Sequence, residues 1–152
     1  MNADQYDAAV PLGQSTVPTD QSRNLWRWWS VITGLIALAV LFEAIFAGAM
    51  LSGADWAHRA HAVNAGILIA SALTAGLVAV VTLRHIPHGL KLGWTLLSLG
   101  AVVFLQAAVG ALSAKGAHLM WLHVPLGVAI FGFAVRATLR ARGLRGDDVR
   151  VG

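Results

Sequence analysis

Four apolar stretches, residues 28–51, 61–83, 90–113 and 118–139, take up most of the chain. Each exceeds the roughly 20 residues that cross a bilayer. Segments of this kind have one stable form in lipid, the α-helix, because only a helix satisfies its own backbone hydrogen bonds. A chain of 152 residues that is 57% hydrophobic and 12% charged carries more apolar surface than a soluble domain of its size can cover. Its mean hydropathy is +0.68. The expectation is an all-α integral membrane protein. The connections 52–60, 84–89 and 114–117 are short, and short links between long helices make sequence neighbours antiparallel. That predicts an up-down four-helix transmembrane bundle over residues 25–141.

The flanks read differently. Residues 1–24 are polar, contain Gly, Pro, Ser and Thr, and show no apolar periodicity, which predicts a disordered cytoplasmic tail. This polar stretch is too long and too acidic to be the leading part of a signal peptide. Residues 142–152 form a second, charged cytoplasmic tail.

A pI near 10.7 invites a nucleic-acid reading, but the cations gather at segment ends rather than in one patch. Lipid topology explains that arrangement and nucleic acid does not. Arg23, Arg27, Arg84, Lys91, Arg136, Arg140, Arg142, Arg145 and Arg150 lie at the termini or near the middle connection, against only Arg59 and Lys115 on the other side. Nine against two predicts both termini in the cytoplasm and a multi-pass protein of the cell (inner) membrane. Trp26, Trp28, Trp29 and Trp94 then read as an inner aromatic belt, with Trp56 and Trp121 as the outer one. The chain has no cysteine, which excludes disulfides, thiolate metal sites, iron–sulfur clusters and covalently attached heme.

A shift of 62 residues without gaps brings Phe42 onto Phe104, Gly48 onto Gly110, Ala49 onto Ala111 and His61 onto His123. The stretches FEAIFAGAMLSGADWAHRAHAVNAG and FLQAAVGALSAKGAHLMWLHVPLGV read as two copies of one helix-loop-helix unit, an internal two-helix pseudo-repeat. Two copies inserted in the same sense are related by an axis along the membrane normal. His61 and His123 then share a depth and face each other across the bundle. Two neutral imidazoles so placed suit axial ligation of one non-covalent, b-type heme near the outer face. Gly48 and Gly110 on the first and third helices leave room for the ring. Arg59 and Lys115 are placed to pair with its propionates, and Asn64, one turn from His61, to support a ligand by a hydrogen bond. Pro125 is compatible with the fourth helix if that helix starts close by, and otherwise kinks it.

The other polar residues carry plainer expectations. His58 and His118 are offset by 60 rather than 62, which breaks the register, and read as solvated. His85 and His88 read as loop residues. Glu43, near the middle of the first helix, is expensive at that depth. It reads either as a proton relay or as a structural, hydrogen-bonded group with Gln106 as its partner, the structural role being the favoured one. The histidines at the outer side also admit a heme-free reading, as solvated or interhelical hydrogen-bonding groups.

The stretch LQAAVGALSAKGAHLMWLHVPLGVAIF resembles the third and fourth helices of one half of heme A synthase, and HRAHAVNAGILI resembles that family's His-Arg-containing second helix. The resemblance covers about residues 35 to 135. It implies a heme-binding four-helix bundle with His123 as the ligand of the fourth helix. On the second helix the family's His-Arg pair points to His58-Arg59, whereas the internal repeat points to His61; ligands must share a depth, so His61 is preferred. The chain departs from the family in having one half instead of two, with only Asp55 as a rough counterpart of the acidic residue in the first outer loop. Three functions follow as expectations. The first is a single-heme b-type cytochrome for electron transfer or heme handling within a larger membrane redox complex. The second is a heme-free accessory subunit of such a complex, and the third a heme-modifying enzyme acting as a homodimer.

Overall fold

The computed structural model describes the backbone of residues 20–86 and 88–147, and the side chains of 24–86 and 88–142. The expected tail over residues 1–19 lies outside the described residues, as do the side chains beyond 142. All regular structure among the described residues is helical. It comprises α1 (Asp20–Leu51), α2 (Asp55–Thr82), α3 (Gly89–Ala114) and α4 (Met120–Asp147). Each contains a segment long and apolar enough to cross a membrane. Leu, Val, Ile and Phe side chains stand exposed around every helix, as expected of surfaces that face hydrocarbon.

Two helices extend past their apolar stretches. α1 starts at Asp20 rather than near residue 25, and α4 runs on to Asp147, so the charged segment after residue 141 begins as helix. α2 starts at Asp55, whose carboxylate sits in the first turn where the helix dipole favours it. The expected 52–60 connection therefore shrinks to a tight turn.

Both turns at this end use the same cap. Gly53 (φ 86°) and Gly116 (φ 98°) take the left-handed conformation that only glycine adopts without strain. The next amide in each turn, from Ala54 or Ala117, donates back to the carbonyl of Ala49 or Leu112 at 3.1 Å. This is the Schellman arrangement that terminates a helix sharply.

Each helix packs on its neighbours in sequence, and α1 meets α4 to close the ring, while α1 and α3, and α2 and α4, make no close backbone contact. Residue numbers rise on one helix as they fall on the next. Ala39 meets Asn64 and Glu43 meets His61 between α1 and α2. Leu73 meets Gly100 and Val80 meets Gly93 between α2 and α3.

The inward faces follow steps of three and four residues, alternating on α1, α3 and α4 as in a coiled-coil seam. On α1 the buried residues are Trp26, Trp29, Thr33, Ile36 and Val40. On α3 they include Leu92, Leu96, Leu99 and Val103, and on α4 Ile130, Ala134, Ala137 and Ala141. α2 contributes Leu68, Ala72, Gly76 and Ala79.

The seam corrects one expectation. Trp26 and Trp29, read as belt anchors, are 4% and 5% exposed and belong to the core, while Trp28 beside them is 68% exposed. Their spacing of three residues puts both on the inward face. Trp28, Trp94, Trp56 and Trp121 are exposed, as lipid-interface anchors should be.

Glycines bring α2 and α3 together. A β-carbon at Gly76 would stand 2.7 Å from the backbone nitrogen of Leu97, and one at Gly93 would stand 2.8 Å from that of Val80. Small residues that let backbones approach are what drives helix association in lipid, where burial of apolar surface contributes nothing extra.

Candidate functional site

The apolar core fills only one half of the bundle. Toward the end that carries the Gly53 and Gly116 turns, no residue of 41–54, 104–119 or 120–129 is fully buried, and Ala57 alone is buried on the facing part of α2. The seam itself continues there with different chemistry. Three residues beyond Val40 on α1 comes Glu43. Before Leu68 on α2 come Asn64 and His61; after Val103 on α3 come Gln106 and Gly110; before Ile130 on α4 come Gly127 and His123. All four helices thus exchange apolar for polar or absent side chains at one level.

Glu43 and His61 meet across the α1–α2 interface. Oε2 lies 2.5 Å from Nδ1, with the side chains 16% and 26% exposed. Nδ1 and both carboxylate oxygens are buried and make no well-directed hydrogen bond. At this separation a small rotation of the ring suffices to make a hydrogen bond. The expected partnership of Glu43 with Gln106 is corrected: Gln106 Nε2 donates instead to the backbone carbonyl of His123 at 2.7 Å.

That bond has a local explanation. α4 starts at Met120, so Pro125 lies beyond the first turn, but the carbonyl it deprives of an N–H is that of Trp121 and not that of His123. One turn after His123 stands Gly127, where a β-carbon would come within 3.3 Å of Gln106 Nε2. The missing side chain opens the way to the His123 carbonyl. Asn64 behaves similarly: its Nδ2 donates to the carbonyl of Ala39 at 2.9 Å, tying α2 to α1 rather than contacting a histidine.

The two glycines expected to make room differ. A β-carbon at Gly110 would stand 2.8 Å from Cε1 of His123, so the imidazole lies directly on α3 there. At Gly48 nothing lies within 4 Å. His123 Nδ1 and Gln106 Oε1 are buried without partners. Together with the Glu43 and His61 atoms they make up all the buried, unpartnered side-chain polar atoms among the described residues. Buried polar groups are ordinarily satisfied, so a cluster of exceptions at one level calls for an explanation.

The remaining site residues sort by exposure. Arg59, Lys115, His58 and His118 are exposed near the two turns, His58 and Arg59 within the first turns of α2. His85 and His88 lie in the 84–89 connection, as expected, with Arg84 Nε donating to His85 Nε2 at 2.9 Å. Among the described residues no three His, Asp or Glu side chains gather to hold a bare metal ion. Two imidazoles would be enough to complete the coordination of a metal held in a planar macrocycle, which supplies the other four ligands itself.

The fold and the site define a class, a four-helix protein with membrane-length helices whose seam turns polar in one half. Compared with known proteins, the chain matches no family model, no curated protein and no solved structure.

Proposed function

We propose that the chain is an up-and-down transmembrane bundle built of two helix-turn-helix copies, binding one b-type heme between His61 and His123. One observation carries this reading. The two histidines occupy seam positions on α2 and α4, which make no close backbone contact, and the buried unpartnered polar atoms all collect at their level. The donor set fits. Glu43 beside His61 Nδ1 is the kind of carboxylate that holds a ligating imidazole by one nitrogen and leaves the other for iron. A heme bound there supplies reversible one-electron iron chemistry. The chain's own part is to fix both rings. Gln106 anchors the backbone of His123, Asn64 anchors α2 to α1, and Arg59 and Lys115 at the water boundary offer cations to propionates.

The cation bias supports termini in the cytoplasm and a heme near the outer face of the cell membrane. Electron transfer or heme handling within a larger redox complex is the role this supports. A heme-free accessory subunit is the alternative, favoured by the Glu43–His61 and Gln106–His123 contacts, which tie helices together without any ligand.

The test is an absorption spectrum of the purified membrane protein, oxidised and reduced, with a pyridine hemochrome assay. The expected result is one low-spin, bis-histidine heme per chain. Protein produced with ample heme that holds none, and takes up no added hemin, makes the accessory-subunit reading the correct one.

A further inference from the structure

Between α1 and α4, at the end of the bundle that carries the chain termini, lies an open groove of about 630 Å³. Arg27 of α1 and Arg142 of α4 line it, and Val31, Leu35 and Leu38 continue it along α1. Gly34 forms part of its floor, with nothing within 4 Å of where a β-carbon would stand. The Ser30 hydroxyl is already used, donating to the carbonyl of Trp26 at 2.8 Å. Arg140 is likewise engaged, its Nη1 donating to Thr95 Oγ1 at 3.1 Å, and among the described residues the cations that line the groove are Arg27 and Arg142. Among the described side chains the acids are Glu43 and Asp55, both at the far end of the bundle.

Length and charge together identify the occupant. From Arg27 to Leu38 the helix rises about 16 Å. That is close to the roughly 15 Å of one leaflet, half of a hydrocarbon core of about 30 Å. The groove is thus cationic at the water boundary and apolar to the bilayer midplane. A volume of this size suits a molecule with a chain, since typical small-molecule sites span about 300–1,000 Å³.

We propose that the α1–α4 groove binds an anionic phospholipid of the leaflet next to the termini. Its phosphate sits between Arg27 and Arg142, and one acyl chain lies over Gly34 against Val31, Leu35 and Leu38. Basic sites between transmembrane helices hold lipid headgroups in this way. The site is separate from the polar cluster and rests only on the helices lying in a membrane.

The test uses the full chain purified in a neutral detergent, with lipid binding followed by native mass spectrometry. The probes are phosphatidylglycerol and phosphatidylcholine with identical chains. The unaltered protein is expected to prefer phosphatidylglycerol roughly thirtyfold, about fivefold from each arginine. R27Q/R142Q is expected to lose the preference, R27K/R142K to keep most of it, and G34L to bind both lipids more weakly. Should R27Q/R142Q not fold, R142Q alone is expected to lose about fivefold. Preference retained in the glutamine variants overturns the proposal. So does displacement of the lipid by inorganic phosphate at equal concentration, which marks a simple anion site. A concentration-dependent dimer that G34L abolishes, without any lipid preference, assigns the groove to a second copy of the chain and also overturns it.

Discussion

Glu43 of α1 and His61 of α2 approach to 2.5 Å between Oε2 and Nδ1, on the continuation of a seam that is apolar up to Val40 and Leu68. If His61 ligates iron through its other nitrogen, Glu43 positions the ring and places negative charge near the metal. Glu43→Gln is then expected to keep the fold and weaken heme retention by about 10- to 100-fold, the usual effect of losing such a support. The midpoint potential should rise, because a carboxylate stabilises the ferric form. Potentiometric titration and hemin binding check both. An unchanged potential with unchanged retention shows that the contact is purely structural. Loss of all redox activity in a folded, heme-loaded variant supports the proton relay instead.

The four histidines at the end of the bundle that carries the Gly53 and Gly116 turns provide the next prediction. His61→Ala and His123→Ala should give the same loss, a five-coordinate or empty site without the low-spin spectrum. His58→Ala and His118→Ala, changed at exposed positions, should at most shift the spectrum slightly. Absorbance and pyridine hemochrome assays of the four purified variants decide it. Low-spin heme surviving His61→Ala but lost in His58→Ala means that the His-Arg resemblance, and not the 62-residue repeat, marks the ligand.

The four helices were legible in the length of the apolar stretches. The 62-residue offset pairs His61 with His123 in the sequence, and both stand on the polar continuation of the seam. The partner of Glu43 was not legible from depth alone, because depth leaves the rotation of α1 against α2 open; packing sets that rotation. A usable signal was present. Trp26, Trp29, Thr33, Ile36, Val40 and Glu43 keep steps of three and four, which puts two of the tryptophans inside and points Glu43 at the seam. Residue type alone does not separate a belt tryptophan from a core one; its phase on the helix does, burying Trp26 and Trp29 and exposing Trp28. Asn64 was expected to support a ligand, and its bond to the Ala39 carbonyl depends on which backbone atom α1 offers, a detail of side-chain reach. The roles of Gly127 and Gln106 depend on a backbone approach between α3 and α4 that no single-helix pattern records.

Gly48 and Gly110 should respond unequally. At Gly110 a methyl group would stand 2.8 Å from His123 Cε1, so Gly110→Ala must displace the imidazole. Gly48→Ala meets nothing within 4 Å of its β-carbon. Gly110→Ala is expected to lose or perturb the low-spin spectrum while the protein still elutes as a folded species, and Gly48→Ala to bind heme nearly as the unaltered protein does. Equal, strong loss in both places the ring against α1 and α3 alike.

Orientation is open to a direct experiment. Single cysteines replacing Ser52 and Ala114 should react with an impermeant thiol reagent on intact cells, and one replacing His85 should react only after permeabilisation. The native chain has no cysteine to interfere. The reverse pattern would turn the cation bias upside down and move Arg59 and Lys115 to the cytoplasmic face.

The last prediction separates stability from the site. Gly76→Ala and Gly93→Ala each drive a methyl group to within 2.8 Å of a facing backbone nitrogen, of Leu97 and of Val80. Backbone yields less readily than a side-chain tip, so α2 and α3 must part. Overpacking of this kind costs about 1–3 kcal/mol. Gly66→Ala, on α2 with Gly76, has open space around the new carbon, and is expected to be neutral or to stabilise by about 0.5–1 kcal/mol through helix propensity. Thermal unfolding in detergent should order the variants accordingly, with Gly76→Ala and Gly93→Ala below the unaltered protein and Gly66→Ala at or above it. Gly76 and Gly93 sit in the apolar half, away from His61 and His123, so the heme spectrum of all three variants should be unchanged while folded. A spectrum that shifts with Gly93→Ala would mean that the two halves of the bundle move as one body, and that packing at the apolar end sets the spacing of the ligands.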